Sequence, residues 1–212
     1  MIIYNLEKSG NPKGVVHTHG SLEAMMKTME DSWGWNQDDH IANVIPLHHV
    51  RGIMNVMNTS LWAGARCTLI PNYDERKVWD VLLDDYDGLD LTVFMGVPKL
   101  YEDLLKHYDE ELCQDRAKEI RNKLKKFRIM ISGSSALSEE TFNRWHEISG
   151  NKVLERYGSN EVGMALTNSY QDQSKRIPGY VGHPFPGVRA RLLDHETGTL
   201  HKRPEHEGEL LI

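Results

Sequence analysis

Short apolar segments alternate with amphipathic ones through residues 41–153, and this alternation constrains the fold more than any other feature of the chain. The apolar segments are four or five residues long, which suits strands buried on both faces. The segments between them repeat apolar residues at helical spacing. Strands that alternate with helices pair mainly in parallel, with the helices as crossover connections. The sequence therefore predicts an α/β fold with mixed, mainly parallel sheets.

The C-terminal part of the chain is organised differently, because turn-forming residues replace the helical segments. A turn-rich loop is marked by Pro178, Gly179, Gly182, Pro184, Pro186 and Gly187. Beyond it, the segments 188–193 and 199–201 are joined by Glu196-Thr197-Gly198, a pattern typical of a β-hairpin. We therefore predict an α/β core over residues 1–187 and the start of a β-rich subdomain over residues 188–212.

Composition narrows the class of protein without identifying it. A net charge of -6, with no basic stripe outside residues 121–128, argues against a nucleic-acid partner. Cys67 and Cys113 are far apart, so the sequence indicates neither a zinc site nor a disulfide framework. No apolar run approaches the roughly 20 residues that span a bilayer, and we identify no targeting segment. We expect a globular protein without a membrane span; the sequence does not indicate an oligomeric state.

The most polar of the strand-like segments places charged residues in apolar surroundings and is the strongest candidate for a site. Glu155, Arg156 and Glu161 each need a counter-charge, a metal or hydrogen bonds, because burying an unpaired charge is costly. One interpretation is an internal ion pair between Arg156 and a carboxylate. The other is a ligand site at a strand end, where Tyr157 offers a flat ring and Gly158 lets a ligand approach the backbone. The sequence leaves both interpretations open.

Three other loops carry polar or charged residues. Ser9-Gly10-Asn11-Pro12-Lys13-Gly14 combines flexible glycines, whose N–H groups can point at an anion, with the fixed charge of Lys13. Ser132-Gly133-Ser134-Ser135 lies just before a predicted helix. His48-His49-Val50-Arg51 follows a predicted buried strand, and its histidines are either ordinary loop residues or part of a site.

Taken in order, the polar stretches resemble the adenylate-forming superfamily of acyl-CoA synthetases, luciferases and peptide-synthetase adenylation domains. The runs most similar to its malonyl-CoA synthetase branch are Pro46-Leu47-His48-His49-Val50, Phe94-Met95-Gly96-Val97-Pro98 and Leu154-Glu155-Arg156-Tyr157-Gly158. The resemblance implies that a small carboxylic acid, malonate or a similar one, is activated with ATP, Mg²⁺ and coenzyme A. It also implies a partial large N-terminal domain, truncated at both ends, with the small C-terminal domain absent.

The resemblance also assigns roles to individual residues. The expected catalytic residues are Lys13, Glu161 and His49, and Glu161 is also the expected magnesium ligand. The residues expected at the nucleotide are Ser9, Gly10, Gly14, Gly133, Ser134, Ser135, Tyr157, Gly158 and Asn160. The residues expected at the acid are Ser132, Arg51 and Arg156. Because a planar guanidinium is the natural bidentate partner of a second carboxylate, Arg156 predicts a short dicarboxylic acid.

Three departures from the family pattern keep other interpretations open. Asn5-Leu6-Glu7-Lys8-Ser9 stands in place of a hydroxyl- and glycine-rich phosphate loop, Arg51 in place of a histidine, and Asn160 in place of a threonine. One alternative is a catalytically silent relative that keeps the fold for nucleotide or partner binding. Another is that Leu6–Lys8 is an artefact of a truncated start. We expect these 212 residues alone to lack the full reaction. The branch suggests a mitochondrial protein, with the cytoplasm as the alternative.

Overall fold

The computed structural model describes residues 1–5, 11–72, 74–83, 90–201 and 206–212 and has a mixed α/β architecture, as predicted. The strands are β1 Ile2–Asn5, β2 Lys13–Val16, β3 His40–Asn43, β4 Arg66–Leu69, β5 Val93–Gly96, β6 Ile129–Gly133, β7 Leu154–Ser159, β8 Gly163–Thr167, β9 His183–Pro184, β10 Arg191–Leu193, β11 Leu200–His201 and β12 Glu209–Leu211. The α-helices are α1 His19–Trp33, α2 Thr59–Trp62, α3 Glu75–Leu82, α4 Pro98–His107, α5 Cys113–Leu124 and α6 Glu139–Ser149. Two π-helices, Arg51–Asn58 and Tyr108–Leu112, run directly into α2 and α5, and Gln173–Lys175 forms a 3₁₀ turn.

A seven-stranded sheet with the order β4-β3-β5-β6-β7-β8-β9 lies at the centre. Its first five strands pair in parallel, while β8 and β9 run antiparallel at one edge. Helices connect the successive parallel strands from β3 to β7, so the predicted crossover arrangement is confirmed. Because parallel strands end at the same edge of a sheet, the loops after β3, β6 and β7 lie on the same side of the molecule.

Local sequence signals set the ends of several helices. The side chains of Thr18, Asp74 and Ser138 cap α1, α3 and α6 by accepting hydrogen bonds from backbone N–H groups of the first turn. Gly150 ends α6 in a left-handed conformation, which suits a residue without a side chain. Pro98 occupies the first position of α4, where its missing N–H is not needed.

The core lies between the central sheet and the helices that cover it. Its largest side chains are aromatic, among them Trp33, Trp79, Trp145, Tyr101 and Phe94. Trp145 and Tyr101 meet edge to face with ring centroids 4.9 Å apart, which is a favourable aromatic geometry. The Tyr101 hydroxyl donates a 3.0 Å hydrogen bond to the carbonyl of Ile131 in β6. This hydrogen bond links α4 to β6, the strand that leads into the serine-rich loop, residues 132–137.

Two smaller sheets flank the centre. The first is the antiparallel hairpin of β1 and β2, and the second has the order β11-β10-β12. The predicted hairpin over residues 188–201 is confirmed with shorter strands, and the division at residue 187 stays a prediction. The apolar run over residues 53–61 lies in a π-helix that continues into α2. None of the described helices is both long enough and apolar enough to cross a membrane.

Candidate functional site

Strand β7 is the centre of the candidate site, and its two charged residues point to opposite faces of the sheet. Side chains alternate along a strand, so the adjacent Glu155 and Arg156 cannot pair with each other. The guanidinium of Arg156 makes no hydrogen bond with any described residue through Nε, Nη1 or Nη2. The internal ion pair considered from the sequence is therefore wrong. The structure presents a buried cation without a counter-charge among the described residues.

Arg156 is 2% exposed and lies over Gly133 of the neighbouring strand. A Cβ atom on Gly133 would lie 2.8 Å from Cζ of Arg156, so only glycine leaves room for the guanidinium. Burial, followed by the charge of Arg51, lowers the pKa of Arg156 to about 9, so the group is still charged near pH 7. A buried, charged and unpaired guanidinium is suited to receiving an anionic ligand.

Arg51 is a second cation, and its charge acts on Arg156. It begins the first π-helix, and its Nη1 atom is buried without a hydrogen-bond partner among the described residues. Burial lowers the pKa of Arg51. Asn55, four residues further along the same helix, is fully buried, and neither atom of its side-chain amide has a partner in the described chain. The start of this helix thus holds several polar groups available to a ligand.

The predicted histidine pair stands at the entrance to this helix. The rings of His48 and His49 have centroids 4.3 Å apart. Burial, followed by the charges of His48 and Arg51, lowers the pKa of His49 below its ordinary value. His49 is therefore a neutral imidazole near pH 7, available as a hydrogen-bond acceptor or as a base.

Glu155 organises the serine-rich loop from the opposite face of β7. Its Oε2 accepts a 3.0 Å hydrogen bond from the backbone N–H of Leu137, and its Oε1 accepts a 2.8 Å bond from that of Gly179. One buried carboxylate therefore links the loop after β6 to the turn at residues 178–179. The sequence drew attention to Glu155 as a buried acid in a strand, but it did not reveal this role.

The serine-rich loop itself is partly strained and partly open. Ser134 has a φ of 99°, a conformation that favours glycine, and such strain is concentrated at functional sites. Ser134 and Ser135 are exposed, so both are accessible to a ligand. Ser132 is buried without a partner for its hydroxyl among the described residues. Its pairing with Glu155 places it on the face opposite Arg156, so the two side chains are not brought together.

Tyr157 and Gly158 follow on β7, and the register of the pairing between β7 and β8 shifts between these two residues. Tyr157 is 40% exposed, so its ring is available for stacking. A Cβ atom on Gly158 would overlap the backbone carbonyl of Gly163 in β8. Close packing of the two strands therefore already requires glycine at this position, a reason that the sequence did not show.

Hydrogen bonds link the turn after β7 to several other segments. His17 is buried, and its Nε2 lies 2.7 Å from the carbonyl oxygen of Asn160. The Asn160 amide donates to the side-chain oxygen of Asn5, and the Asn5 amide donates to the carboxylate of Glu161. The backbone N–H of Val50 lies 3.4 Å from Oδ1 of Asn160, which ties the turn to the start of the π-helix. Asn160 is thus a junction between three segments.

The magnesium assignment fits the residue that the structure offers. Glu161 is exposed, and its carboxylate contacts only a neutral amide among the side-chain bonds described. Mg²⁺ keeps several waters and commonly binds through one or two carboxylates together with substrate phosphates. In the described part of the chain, no group of three or more His, Cys, Asp or Glu residues is arranged to hold a metal by itself. Glu161 therefore suits a metal that arrives with a nucleotide.

The phosphate loop is only partly described. Lys13 and Gly14 lie in β2, where they pair with Asn5 and Tyr4. Both are exposed. Ser9 and Gly10, as well as the altered segment 6–8, lie outside the described residues. The hairpin nevertheless brings Lys13 to Asn5, whose amide reaches Glu161.

Comparison with known proteins decides the family. The model of the family described as AMP-binding enzyme matches residues 9–212. The chain belongs to the AMP-binding enzyme family. Among curated family members, it is 40% identical to the mitochondrial malonate–CoA ligase ACSF3 of Xenopus laevis over 98% of this chain. It is 36% identical to the ACSF3 of Homo sapiens over 100% of this chain. It is 35% identical to the malonate–CoA ligase of Arabidopsis thaliana over 92% of the chain.

Solved structures of AMP-binding enzymes have the same fold. MatB from Rhodopseudomonas palustris with ATP bound is 32% identical, with a TM-score of 0.81 over 96% of this chain and 37% of that one. A malonyl-CoA ligase with methylmalonyl-CoA and AMP bound is 27% identical, with a TM-score of 0.79 over 91% of this chain and 39% of that one. The chain spans 35%, 40% and 33% of the three curated relatives. Its architecture is that of the large N-terminal domain of adenylate-forming enzymes.

Proposed function

We propose that this chain is part of an ATP-dependent acid–thiol ligase that activates a short dicarboxylic acid, malonate or a close analogue, to its coenzyme A thioester. The observation that carries the proposal is the buried guanidinium of Arg156, which has no partner among the described residues. A monocarboxylic acid would leave that charge unpaired, whereas a second carboxylate would accept its N–H groups in a bidentate contact. The family and the malonate–CoA ligase relatives support the reaction type.

The reaction consists of two transfers. In the first, the near carboxylate of the acid attacks the α-phosphorus of ATP, and pyrophosphate leaves with its bonding electrons. In the second, the sulfur of coenzyme A attacks the acyl carbon, the thiol loses its proton, and AMP leaves. Arg156 fixes the far carboxylate and so aims the near one, and such positioning lowers the barrier without any covalent role for the protein.

The nucleotide is assigned to the residues around the turn after β7. The ring of Tyr157 stacks on adenine, and the loop of Gly133, Ser134 and Ser135 borders it. Lys13 and Gly14, together with Ser9 and Gly10, hold the phosphates, and the turn of Gly158 and Asn160 lies alongside. Glu161 holds Mg²⁺, which neutralises phosphate charge when it is bound. His49, neutral near pH 7, borders the acid together with Arg51.

The relatives' names also support a location. Three vertebrate relatives, which align with 98%, 100% and 91% of this chain, are described as mitochondrial. Malonate activation there would supply malonyl-CoA within the organelle. We therefore place the whole protein in mitochondria, and imaging of the tagged full-length protein would test this against the cytoplasmic alternative.

The test is calorimetric titration of the folded chain with Mg-ATP and then with malonate, repeated on Arg156→Ala. We expect the wild-type chain to bind both ligands and the variant to keep Mg-ATP binding while losing malonate. Arg144→Ala is the matched control, because Arg144 is partly exposed and pairs with Asp109 and Glu147 on the surface. Equal malonate binding by wild type and Arg156→Ala would contradict the proposed role.

A catalytically silent relative is the second candidate. It is favoured by the side-chain contacts of Asn5, which occupy the Asn160 amide and the Glu161 carboxylate. The same titration separates the two candidates. A folded chain that binds neither Mg-ATP nor malonate would support the silent relative.

A further inference from the structure

We propose that His17 is a positioning residue for the magnesium ligand. Its ring holds the peptide unit between Asn160 and Glu161 and so sets the direction in which the Glu161 carboxylate leaves the backbone. This inference rests on the proposed function, in which Glu161 holds Mg²⁺ together with the nucleotide. His17 is not among the site residues predicted from the sequence.

A single hydrogen bond connects the His17 ring to the turn after β7. His17 is 6% exposed, and its Nε2 lies 2.7 Å from the carbonyl oxygen of Asn160. Because a carbonyl oxygen can only accept, Nε2 carries the proton and donates it to this bond. The same carbonyl belongs to the planar peptide unit that leads into Glu161. A bond to its oxygen therefore fixes the plane from which the Glu161 side chain starts.

His17 is itself held between two elements. Its backbone N–H donates a 2.8 Å bond to the carbonyl of Met1, next to the pair of Ile2 and Val16 in the hairpin of β1 and β2. The following residue, Thr18, caps α1 in a capping box with Ser21. The ring thus starts from backbone that is fixed on both sides, which suits a group that positions another.

His17 and Glu161 line the same cavity, which has a volume of about 380 Å³ and lies between α1 and the turn. Ser21 and Met25 form part of its wall on the side of the helix. Met25 also packs against the far end of the turn, because a Cβ atom on Gly163 would overlap its Cε atom. The start of α1 and the residue before its cap therefore hold the turn at both ends, and the Glu161 side chain lies between them.

The carboxylate end of Glu161 is held in a different way from its backbone. The amide of Asn5 donates to Oε1 of Glu161 in an exposed contact. Mg²⁺ binds carboxylate oxygens directly, so it would compete with that amide for the same group. The bond from His17 ends on the backbone and leaves both carboxylate oxygens available. It can therefore keep Glu161 in position while the carboxylate binds a metal.

The experiment measures the affinity of the chain for a non-hydrolysable ATP analogue by calorimetry, once with Mg²⁺ and once with EDTA. The ratio of the two affinities is the Mg²⁺ effect. His17→Leu removes the donor, whereas His17→Gln keeps an N–H group at the same number of bonds from Cβ as Nε2. Glu161→Gln gives the Mg²⁺ effect that remains without the metal ligand.

His40→Leu is the matched control for the loss of a buried histidine. His40 is 3% exposed, and its Nε2 lies 2.8 Å from the hydroxyl oxygen of Thr68 at the amino ends of β3 and β4. Circular dichroism and urea unfolding establish that each variant is folded and how far its stability has changed. A variant that only loses stability should keep the wild-type Mg²⁺ effect.

His17→Leu should reduce the Mg²⁺ effect roughly tenfold, the scale for removing a partner that orients a metal ligand. Its affinity in EDTA should equal that of the wild-type chain. His17→Gln should recover most of the Mg²⁺ effect, and His40→Leu should keep all of it. Stability alone cannot produce this pattern, because both leucine variants remove one hydrogen bond of a buried imidazole.

Two results with folded His17→Leu would overturn the inference: a wild-type Mg²⁺ effect, or an equal loss of affinity with and without Mg²⁺. If His17→Leu does not fold, His17→Asn takes its place, because its amide nitrogen is one bond closer to Cβ than Nε2; a wild-type Mg²⁺ effect there would also overturn the inference. A Mg²⁺ effect that is lost in Glu161→Gln but kept in His17→Leu would leave the proposed function intact. Absence of analogue binding by the wild-type chain would overturn both.

Discussion

At the scale of the residue, two buried arginines show how the same side chain can serve structure or ligand binding. Arg176 donates bonds of 2.9, 2.6 and 2.9 Å to the carbonyl oxygens of Ser169, Lys152 and Tyr170. Arg156 has no such acceptors in the described chain. Burial lowers the pKa of Arg176 to about 10 and, with the charge of Arg51, that of Arg156 to about 9. The first arginine holds a loop, whereas the second leaves its donors open to a ligand.

Gly133→Ala tests whether the room beside Arg156 matters for binding. The added methyl group would lie 2.8 Å from Cζ of Arg156 and so displace the guanidinium. We expect malonate affinity measured by calorimetry to fall roughly tenfold or more, since a misplacement on the order of 1 Å has effects of that size. Gly20→Ala is the control, because a Cβ there meets only the Thr18 hydroxyl at 4.0 Å. Unchanged malonate affinity in Gly133→Ala would argue against Arg156 as the acid ligand.

Part of this site could be predicted from the sequence, and the reason lies in residue types and strand alternation. The charged residues of β7 identified the site, because charges in a buried strand need an explanation. The ion pair considered for Arg156 was wrong, and alternation along the strand already argued against Glu155 as its partner. The hydrogen bond between Val50 and Asn160 could not be predicted, because it joins residues that are far apart in the chain.

At the scale of the element, the first π-helix and the serine-rich loop shape the candidate site. An apolar run predicts a helix, but it does not reveal the wider π turn, which depends on packing; π-helical turns are frequent at functional sites. Glu155 holds the loop after β6. Burial raises the pKa of its carboxyl group, although the hydrogen bonds from Leu137 and Gly179 act in the opposite direction. Both features place side chains from one element against another, and neither has a local sequence signature.

Glu155→Gln tests the role of the carboxylate in holding the loop. An amide can accept one of the two backbone bonds but turns its NH₂ group toward the other N–H. We expect a loss of about 1 to 3 kcal/mol in the free energy of unfolding, the cost of an unsatisfied buried group. We also expect weaker Mg-ATP binding, because the adenine edge loses its support. Glu140→Gln on the exposed first turn of α6 is the control, and an unfolding free energy equal to that of wild type would contradict this role.

At the scale of the whole molecule, the two ends of the parallel strands have different functions. The candidate site lies at their carboxyl ends. At their amino ends, Arg128 donates bonds of 2.6 Å from Nε and Nη2 to the two carboxylate oxygens of Asp39, and its Nη1 donates to the carbonyl of Trp33. Burial alone would raise the pKa of Asp39, but the bonds from Arg128 and Thr92 and the charge of Arg128 lower it overall. This pair ties α1 to the sheet.

The Asp39–Arg128 pair makes stability depend on pH on the acid side. Because the pKa of Asp39 is lower in the folded chain, its contribution is present above the unfolded value of about 3.9 and is lost as pH falls through the folded value. We expect Asp39→Asn to cost about 3 to 5 kcal/mol at pH 7, because it breaks a buried pair. Urea unfolding of both chains between pH 2 and 7 checks this. If the free energies of unfolding of the wild-type chain and Asp39→Asn differed equally at pH 2 and pH 7, the result would contradict this prediction. An altered malonate affinity in Asp39→Asn would also contradict it.

The architecture of the whole molecule was more predictable than its details. Short apolar segments predicted the parallel strands, and helical spacing predicted the helices between them, because both signals are local. The antiparallel edge of β8 and β9 and the three-stranded sheet were less predictable. Their strands are short, and their pairing is set by contacts rather than by periodicity.

Thermal unfolding of the wild-type chain and of Arg156→Met shows whether Arg156 is a buried cation kept for a carboxylate ligand. Both chains are measured with and without malonate at matched ionic strength. Without malonate, the variant should melt at a higher temperature, because it no longer buries an unpaired charge; a gain of about 1 to 4 kcal/mol is the expected scale. With malonate at about 100 times its Kd, only the wild-type chain should be stabilised, by about 2.7 kcal/mol. A variant that melts lower without ligand and gains as much from malonate as the wild-type chain would contradict the claim.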